Sequence, residues 1–167
     1  DISPAARVRK LSMGARQRQI RDGLLAIDKA SERDMLRIQL DDRALFLARW
    51  QKLLLEVLTP DTVAGDPRRA EARTLVESWG ARAATTSVGY RVVRAFRERV
   101  RDLVLDPLLA PARARDPKIR PGTAPNSRWE GPVWALVTQR PAHLLDPRYP
   151  SFEALLAARV AAGAFGG

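Results

Sequence analysis

Chemistry in a chain of 167 residues must come from groups that carry charge, move protons or attack carbonyls. Gln39, Asp41 and Asp42 form a polar notch in an otherwise apolar stretch. Two neighbouring carboxylates can share general acid–base work or hold a cation. The favoured alternative is a hydrogen-bonding cluster that fixes one helix against another, because buried polar groups need partners. His143 is the sole histidine. It can serve as a general base, but Arg140-Pro141 just ahead of it points to a turn, and the preferred reading is a satisfied loop or core side chain. Ser78, Ser87 and Ser127 have no adjacent base and no Gly-x-Ser-x-Gly setting, so a serine triad is unsupported. No second carboxylate pair and no His stands at metal-ligand spacing, so no metal or cofactor site is expected in this segment. Cysteine is absent, which excludes disulfides, thiol catalysis and Cys-ligated zinc.

The remaining chemical capital is arginine. Only four of the 29 basic residues are Lys, and the formal net charge is +10. Such a chain can bind nucleic acid or an acidic surface. Arg91, Arg94, Arg97 and Arg101 would line one side of a helix and could track phosphates. Glu98 and Asp102 interrupt that face, and no aromatic residue interleaves it for base stacking, so it reads as a solvated face or one that meets parts outside this sequence. A nucleic-acid partner is therefore not expected. Arg16, in Gly14-Ala15-Arg16-Gln17-Arg18-Gln19-Ile20, is the guanidinium whose setting is most informative. It reads either as a cap or ion pair at a helix start or as a residue that lines a site.

The elements that must position these groups are helical. The hydrophobic fraction of 46% suits a single helical domain over 1–167, and no run of about 18 apolar residues offers a membrane span. Residues 1–13 read as irregular. A first helix is expected over Gly14–Ile27, with Ile20, Leu24 and Ile27 on one face. Ser31-Glu32-Arg33-Asp34 has the form of a capping box, and behind it Leu36, Leu40, Ala44, Leu47, Leu54 and Leu58 recur at helical spacing. They predict one helix of about 27 residues, stopped by Thr59-Pro60. Asp66-Pro67 should open a third, ending near Trp79 with Gly80 in its last turn. A fourth is expected over Thr86–Leu105, with Val88, Val92, Val93, Phe96, Val100 and Leu103 inward and Asp106-Pro107 as its stop. Six of the twelve prolines fall in 106–132, which predicts an extended crossover, with Trp129 and Trp134 buried at its end. A short last helix should start at Ser151, with Phe152, Leu155, Leu156 and Val160 apolar. The fold class expected is all-α: four to five helices around one core.

The order of these motifs resembles the large subunit of penicillin-acylase-type amidohydrolases, which are N-terminal-nucleophile hydrolases. Arg16 and Ile20 keep an Arg-x-x-x-Ile pattern, Gln39 and Asp41 a Gln-x-Asp signature, and Trp79-Gly80 a Trp-Gly pair ahead of another helix. The likeness covers roughly 13–110, and more loosely 127–160 through Trp134 and Arg140–Leu145. It implies an enzyme that cleaves N-acyl amides through an acyl-enzyme. It implies that Arg16 lines the active site near the nucleophile, where a guanidinium can hold a carboxylate or orient an oxyanion hole. It also implies export to the periplasm, and calcium held elsewhere in many members.

The departures matter as much. In the family the nucleophile is an N-terminal Ser whose own α-amine is the base; here residue 1 is Asp, and Asn126, the only Asn, comes too late to be the family's oxyanion residue. The expectation is an internal helical fragment with no nucleophile, inactive by itself. Its partners would be the small subunit and catalytic core of the parent and an acyl-amide substrate. Apolar faces left uncovered would let the fragment self-associate. A free-standing basic helical module, for nucleic acid or for protein interaction, stays open as the alternative.

Overall fold

The computed structural model describes residues 14–120 and 129–161, with side chains to residue 158. The irregular stretch expected for 1–13, Asn126, Ser127 and the side chain of Val160 lie outside the described residues. Within them the chain is all-α, and its only β contact is an isolated antiparallel bridge between Arg43 and Arg82.

Helix α1 (Ala15–Leu25) and helix α2 (Glu32–Gln39) form a hairpin. The expected capping box is present: the Ser31 hydroxyl accepts from the Asp34 N–H, and the Asp34 carboxylate accepts from the Ser31 N–H at 3.1 Å. Gly23 lets the two helices approach, since a Cβ there would stand 3.1 Å from Ile38 Cγ1. Neither helix contributes a fully buried residue.

The single long helix expected behind Ser31 is broken, and the break has a cause. The Arg16 guanidinium donates to the carbonyls of Ile38 (3.1 Å), Gln39 (2.7 Å) and Asp41. Those carbonyls would otherwise accept from the next helical turn. The Asp41 carboxylate also accepts from the Arg43 N–H at 3.1 Å, a local bond that competes with helix. The chain leaves the helix at Leu40 and ties to residues 81–83 through Ala44 N–H to Ala81 O (2.7 Å) and Ala83 N–H to Asp42 O (2.8 Å). A 3-10 turn (Leu45–Leu47) then leads into α3 (Ala48–Val57).

Pro60 ends α3 as expected and also starts α4 (Pro60–Val63), with Thr59 as its cap. Asp66 caps α5 (Pro67–Glu77) by accepting from the N–H groups of Arg68 and Arg69. Gly80 is not the left-handed residue after α5; Ala81 is, at φ 55°. Helix α6 (Val88–Arg115) begins at Ser87 as its cap and does not stop at Asp106-Pro107. It runs through Pro107 and Pro111. Interior prolines cost a helix about 3 kcal/mol each, so tertiary ties must offset them. Leu103 and Val104 are buried just before Pro107, and an Arg113–Asp106 ion pair spans it. The proline-rich connection is therefore shorter than 106–132. Its last proline, Pro132, lies in the first turn of a helix that the sequence did not announce, α7 (Glu130–Gln139), where a missing N–H costs little. A 3-10 turn (Ala142–Leu144) and α8 (Phe152–Ala161) complete the described chain, making eight α-helices among the described residues.

The core begins only at Ala44. Leu47, Trp50, Leu54 and Leu58 of the α3 region pack with Val76 of α5, Val93 and Phe96 of α6, Val133 and Val137 of α7, and Leu155 and Leu156 of α8. Burying each such side chain contributes roughly 1.5–3 kcal/mol. Trp50 is central: its ring meets Trp134 at 5.1 Å and Phe96 at 6.4 Å, both edge-to-face. Gly89 sets the distance from α6 to α5, because a Cβ there would fall 2.5 Å from the Leu75 carbonyl oxygen.

Candidate functional site: an arginine-lined cleft

Three helices converge on one buried carboxylate. Glu130, the first residue of α7, is 1% exposed. Its Oε1 accepts from Trp50 Nε1 (2.6 Å) and Arg49 Nη2 (2.8 Å), both in the first turn of α3. Its Oε2 accepts from Arg97 Nε (2.7 Å) and Nη2, from the middle of α6. Burial pushes the Glu130 carboxyl up, but the hydrogen bonds from Arg97, Arg49 and Trp50 outweigh that and hold it below its ordinary value. The helix N-terminus on which it sits also favours a negative charge. Aromatic rings wall the cations: Arg97 lies 4.3 Å from the Trp129 centroid and 5.5 Å from Phe46, and Arg49 lies 4.5 Å from Trp134.

Beside this cluster opens a cleft of about 470 Å³. The N-terminal turn of α1, residues 14–17, forms one wall. Phe46 and Arg49 come from the 3-10 turn and α3, Tyr90, Arg94, Glu98 and Arg101 from α6, and Trp129 from the entry to α7. Arg97 and Glu130 lie at its base. Among the described residues it is lined by five guanidiniums and only two carboxylates, so its field is positive. A guanidinium does not lose its proton near neutral pH, so these groups are not bases. They can bind or orient an anion, or stabilise negative charge that develops beside them.

Arg16 belongs to this cleft, at its α1 wall. Its guanidinium, however, is engaged with the three carbonyls at the end of α2. Those bonds close the end of α2 and not the helix start at which Arg16 itself stands.

The other residues singled out in the sequence are not drawn into the cleft. Asp41 is chelated by Arg43 Nε (2.8 Å) and Nη2 (2.7 Å) and accepts from Gln19 Nε2 (3.0 Å). Arg43, above all, holds its carboxyl far below the usual carboxylate range, with Gln19 adding to the effect against a smaller opposing cost of burial. Asp42 pairs with Arg82 instead. The notch is a set of separate ties between the hairpin and the body, more exposed than the buried cluster expected. The Gln39 side chain is exposed. His143 is exposed in the Ala142–Leu144 turn. Ser78 donates to the Thr74 carbonyl (2.8 Å), and Ser87 caps α6.

The arginine stripe is not a uniform solvated face. Arg91 and Arg94 are exposed, but Arg97 is only 8% exposed and Arg101 is half-buried against Trp129, 5.2 Å from its centroid. The sequence offered Trp129 as buried, and it is. It did not offer Glu130 as its companion, because the partners lie 33 and 80 residues away. The one local hint is an acid at the start of a Glu-Gly-Pro run, the composition of a first helical turn.

Among the described residues no three His, Asp or Glu side chains gather closely enough to hold a metal ion, and no helix is long and apolar enough to cross a membrane. No curated protein and no solved structure matches the chain. The family model described as Penicillin amidase matches residues 3–162, which takes in the α1 wall, the α6 arginines and the Glu130 cluster together. The likeness first carried by Arg16, Gln39, Asp41 and Trp79-Gly80 thus extends over almost the whole chain, which belongs to the penicillin amidase family.

Proposed function

We propose that this chain is the helical part of the large subunit of a penicillin-amidase-type amidohydrolase, and that its arginine-lined cleft forms one wall of the pocket for an N-acyl amide. The parent cleaves that amide through an acyl-enzyme on a nucleophile supplied from outside these 167 residues. The α1 wall, with Arg16, faces that nucleophile, and the remaining cleft residues position the substrate. The working partners are then the small subunit and catalytic core. Any calcium is held there, and the assembled enzyme acts in the periplasm. The observation that carries the reading is the family match across residues 3–162, with the motif residue Arg16 on the rim of the one positive, aromatic-walled cleft described above. Fixed guanidiniums in such a cleft suit electrostatic stabilisation and orientation, the contribution a wall can make without attacking the carbonyl itself.

The test is release of p-nitroaniline from an N-acyl p-nitroanilide. The complete gene product is compared with the 167-residue chain alone. The reading expects turnover by the former and none by the latter. Turnover by the chain alone, or none by the complete protein across short and long acyl groups, removes it.

A further inference from the structure

We propose that the α1–α2 hairpin is a flap: it turns as one body about Leu40–Asp41, and its posture sets the width of the cleft. The proposal stands on the fold and goes beyond the acylase reading, which it does not need.

Four observations converge. First, the hairpin is stiff within itself. Gly23 lets α1 seat against Ile38, and the capping box fixes the start of α2. Arg16 Nη2 ties the two helices near their open ends through the carbonyls of Ile38 (3.1 Å) and Gln39 (2.7 Å). Second, the hairpin is not packed into the body. Neither helix has a fully buried residue. Helices interlocked in a core move only when side chains slide past one another, and that restraint is missing here. Open space stands on two sides of α1 instead. The cleft lies at its N-terminal turn, and a second cavity of about 410 Å³ separates Arg18 and Asp22 of α1 from Leu45 and Ala48 of the body. Third, the pivot is placed by the backbone. The Asp42 carbonyl and the Ala44 N–H are bonded to residues 81–83, so from Asp42 onward the chain belongs to the body. Leu40, at φ −86° and ψ 4°, has already left α2. The turning point falls between them, at an element terminus, where hinges absorb their change of torsion. Fourth, the latch across the pivot is polar. Gln19 Nε2, from the middle of α1, donates to the Arg43 carbonyl (2.9 Å) and to the Asp41 carboxylate (3.0 Å). Such bonds exchange with water at small net cost, so a latched and an unlatched posture both hold population. Because residues 14–17 ride on α1, each swing of the hairpin carries one wall of the cleft with it.

The experiment measures spin-label distances in the 167-residue chain, which has no Cys of its own. One pair, Gln17→Cys with Arg99→Cys, spans the cleft from its α1 wall to α6. The other, Gln17→Cys with Lys29→Cys, lies within the hairpin. All three positions are exposed, and the shared label at 17 makes the two pairs comparable. Each pair is measured with Gln19 intact, with Gln19→Leu, which keeps the bulk and removes the donor, and with Gln19→Glu, which sets a second carboxylate against Asp41. Gln19 lies outside the buried core, and circular dichroism with a melting curve confirms that both variants are folded. The expected result is a share of long cross-cleft distances that rises about threefold or more when the latch is cut, while the distance within the hairpin stays where it was. Cross-cleft distances unmoved in both folded variants overturn the flap. A within-hairpin distance that broadens together with the cross-cleft one shows fraying and overturns motion as one body. Since no amide turnover is read, failure of the acylase reading leaves these distances as they are, and a fixed hairpin leaves the acylase reading standing.

Discussion

The α1–α2 hairpin and the body behind it are held by different physics. The hairpin has no fully buried residue, and Leu24, Leu25, Met35, Leu36 and Leu40 all stand exposed. Arg16 on the α2 carbonyls ties its two helices to each other, and what attaches it to the body is polar: Gln19 on the Arg43 carbonyl and Asp42 on Arg82. The body, from Ala44 onward, is held by close-packed Leu, Val and Trp around one buried ion cluster. Exposed hydrogen bonds and ion pairs contribute little each, whereas burial contributes in bulk. The cleft lies on the seam, one wall from the weakly held region and the others from the rigid one. A guanidinium therefore stabilises both regions, yet its removal should do different things in each.

The largest difference is expected at Glu130. Glu130→Ala leaves Arg97 buried beside no carboxylate, which should cost about 3–5 kcal/mol of global stability in a chemical denaturation curve. Replacing the pair together, Glu130→Leu with Arg97→Met, should recover part of that loss, the remainder being the buried Trp50 Nε1 left without its acceptor. A double variant as unstable as the single one would show that packing, and not the stranded charge, sets the cost.

A smaller and more local effect is expected at Arg16. Arg16→Ala should lower the opening free energy of residues 32–43 in amide hydrogen exchange by about 1–2 kcal/mol while the exchange of α6 core amides stays put. Slower or unchanged exchange in α2 would mean that the carbonyl contacts do not hold the hairpin.

The smallest concerns acid. Asp41 has its folded-state pKa depressed by Arg43 and Gln19, so its contribution is present above the unfolded value of about 3.9 and fades as pH falls below it. The hairpin should lose exchange protection on acidification through that window, and Asp41→Asn should flatten the dependence. A wild-type hairpin indifferent to pH between about 6 and 3 would contradict the polar-tie account.

Much of this organisation was legible in the sequence where its cause is local. Ser31 with Asp34 and Asp66-Pro67 each mark a helix start, and Thr59-Pro60 a helix end, through bonds and steric limits spanning at most three residues. The failures share the opposite property. The apolar spacing from Leu36 to Leu58 supports one helix, and the residue that interrupts it, Arg16, acts from 22 to 25 positions away. Pro107 looks like a stop because its cost is local, whereas the packing and the Arg113 tie that offset it are not. The candidate site was half visible. Arg16 and Trp129 stand out in the sequence, and the arginine stripe reads there as a solvated face or one that meets parts outside this sequence, because nothing nearby in sequence discloses that Glu130 lies beneath Arg97.

Gly89 gives the seam one more property. The atoms that a methyl group there would strike are the Leu75 carbonyl oxygen and Trp79 Cβ, at 2.5 and 2.7 Å, and neither can swing aside as the tip of a long side chain would. Growth at position 89 must wedge α5 and α6 apart as rods. Tyr90, the next residue, is on the cleft and leans on Trp79, with ring centroids 6.2 Å apart. The aperture available to a ligand is thus gauged from the rear of the domain, by a spacer that consists of a single hydrogen atom.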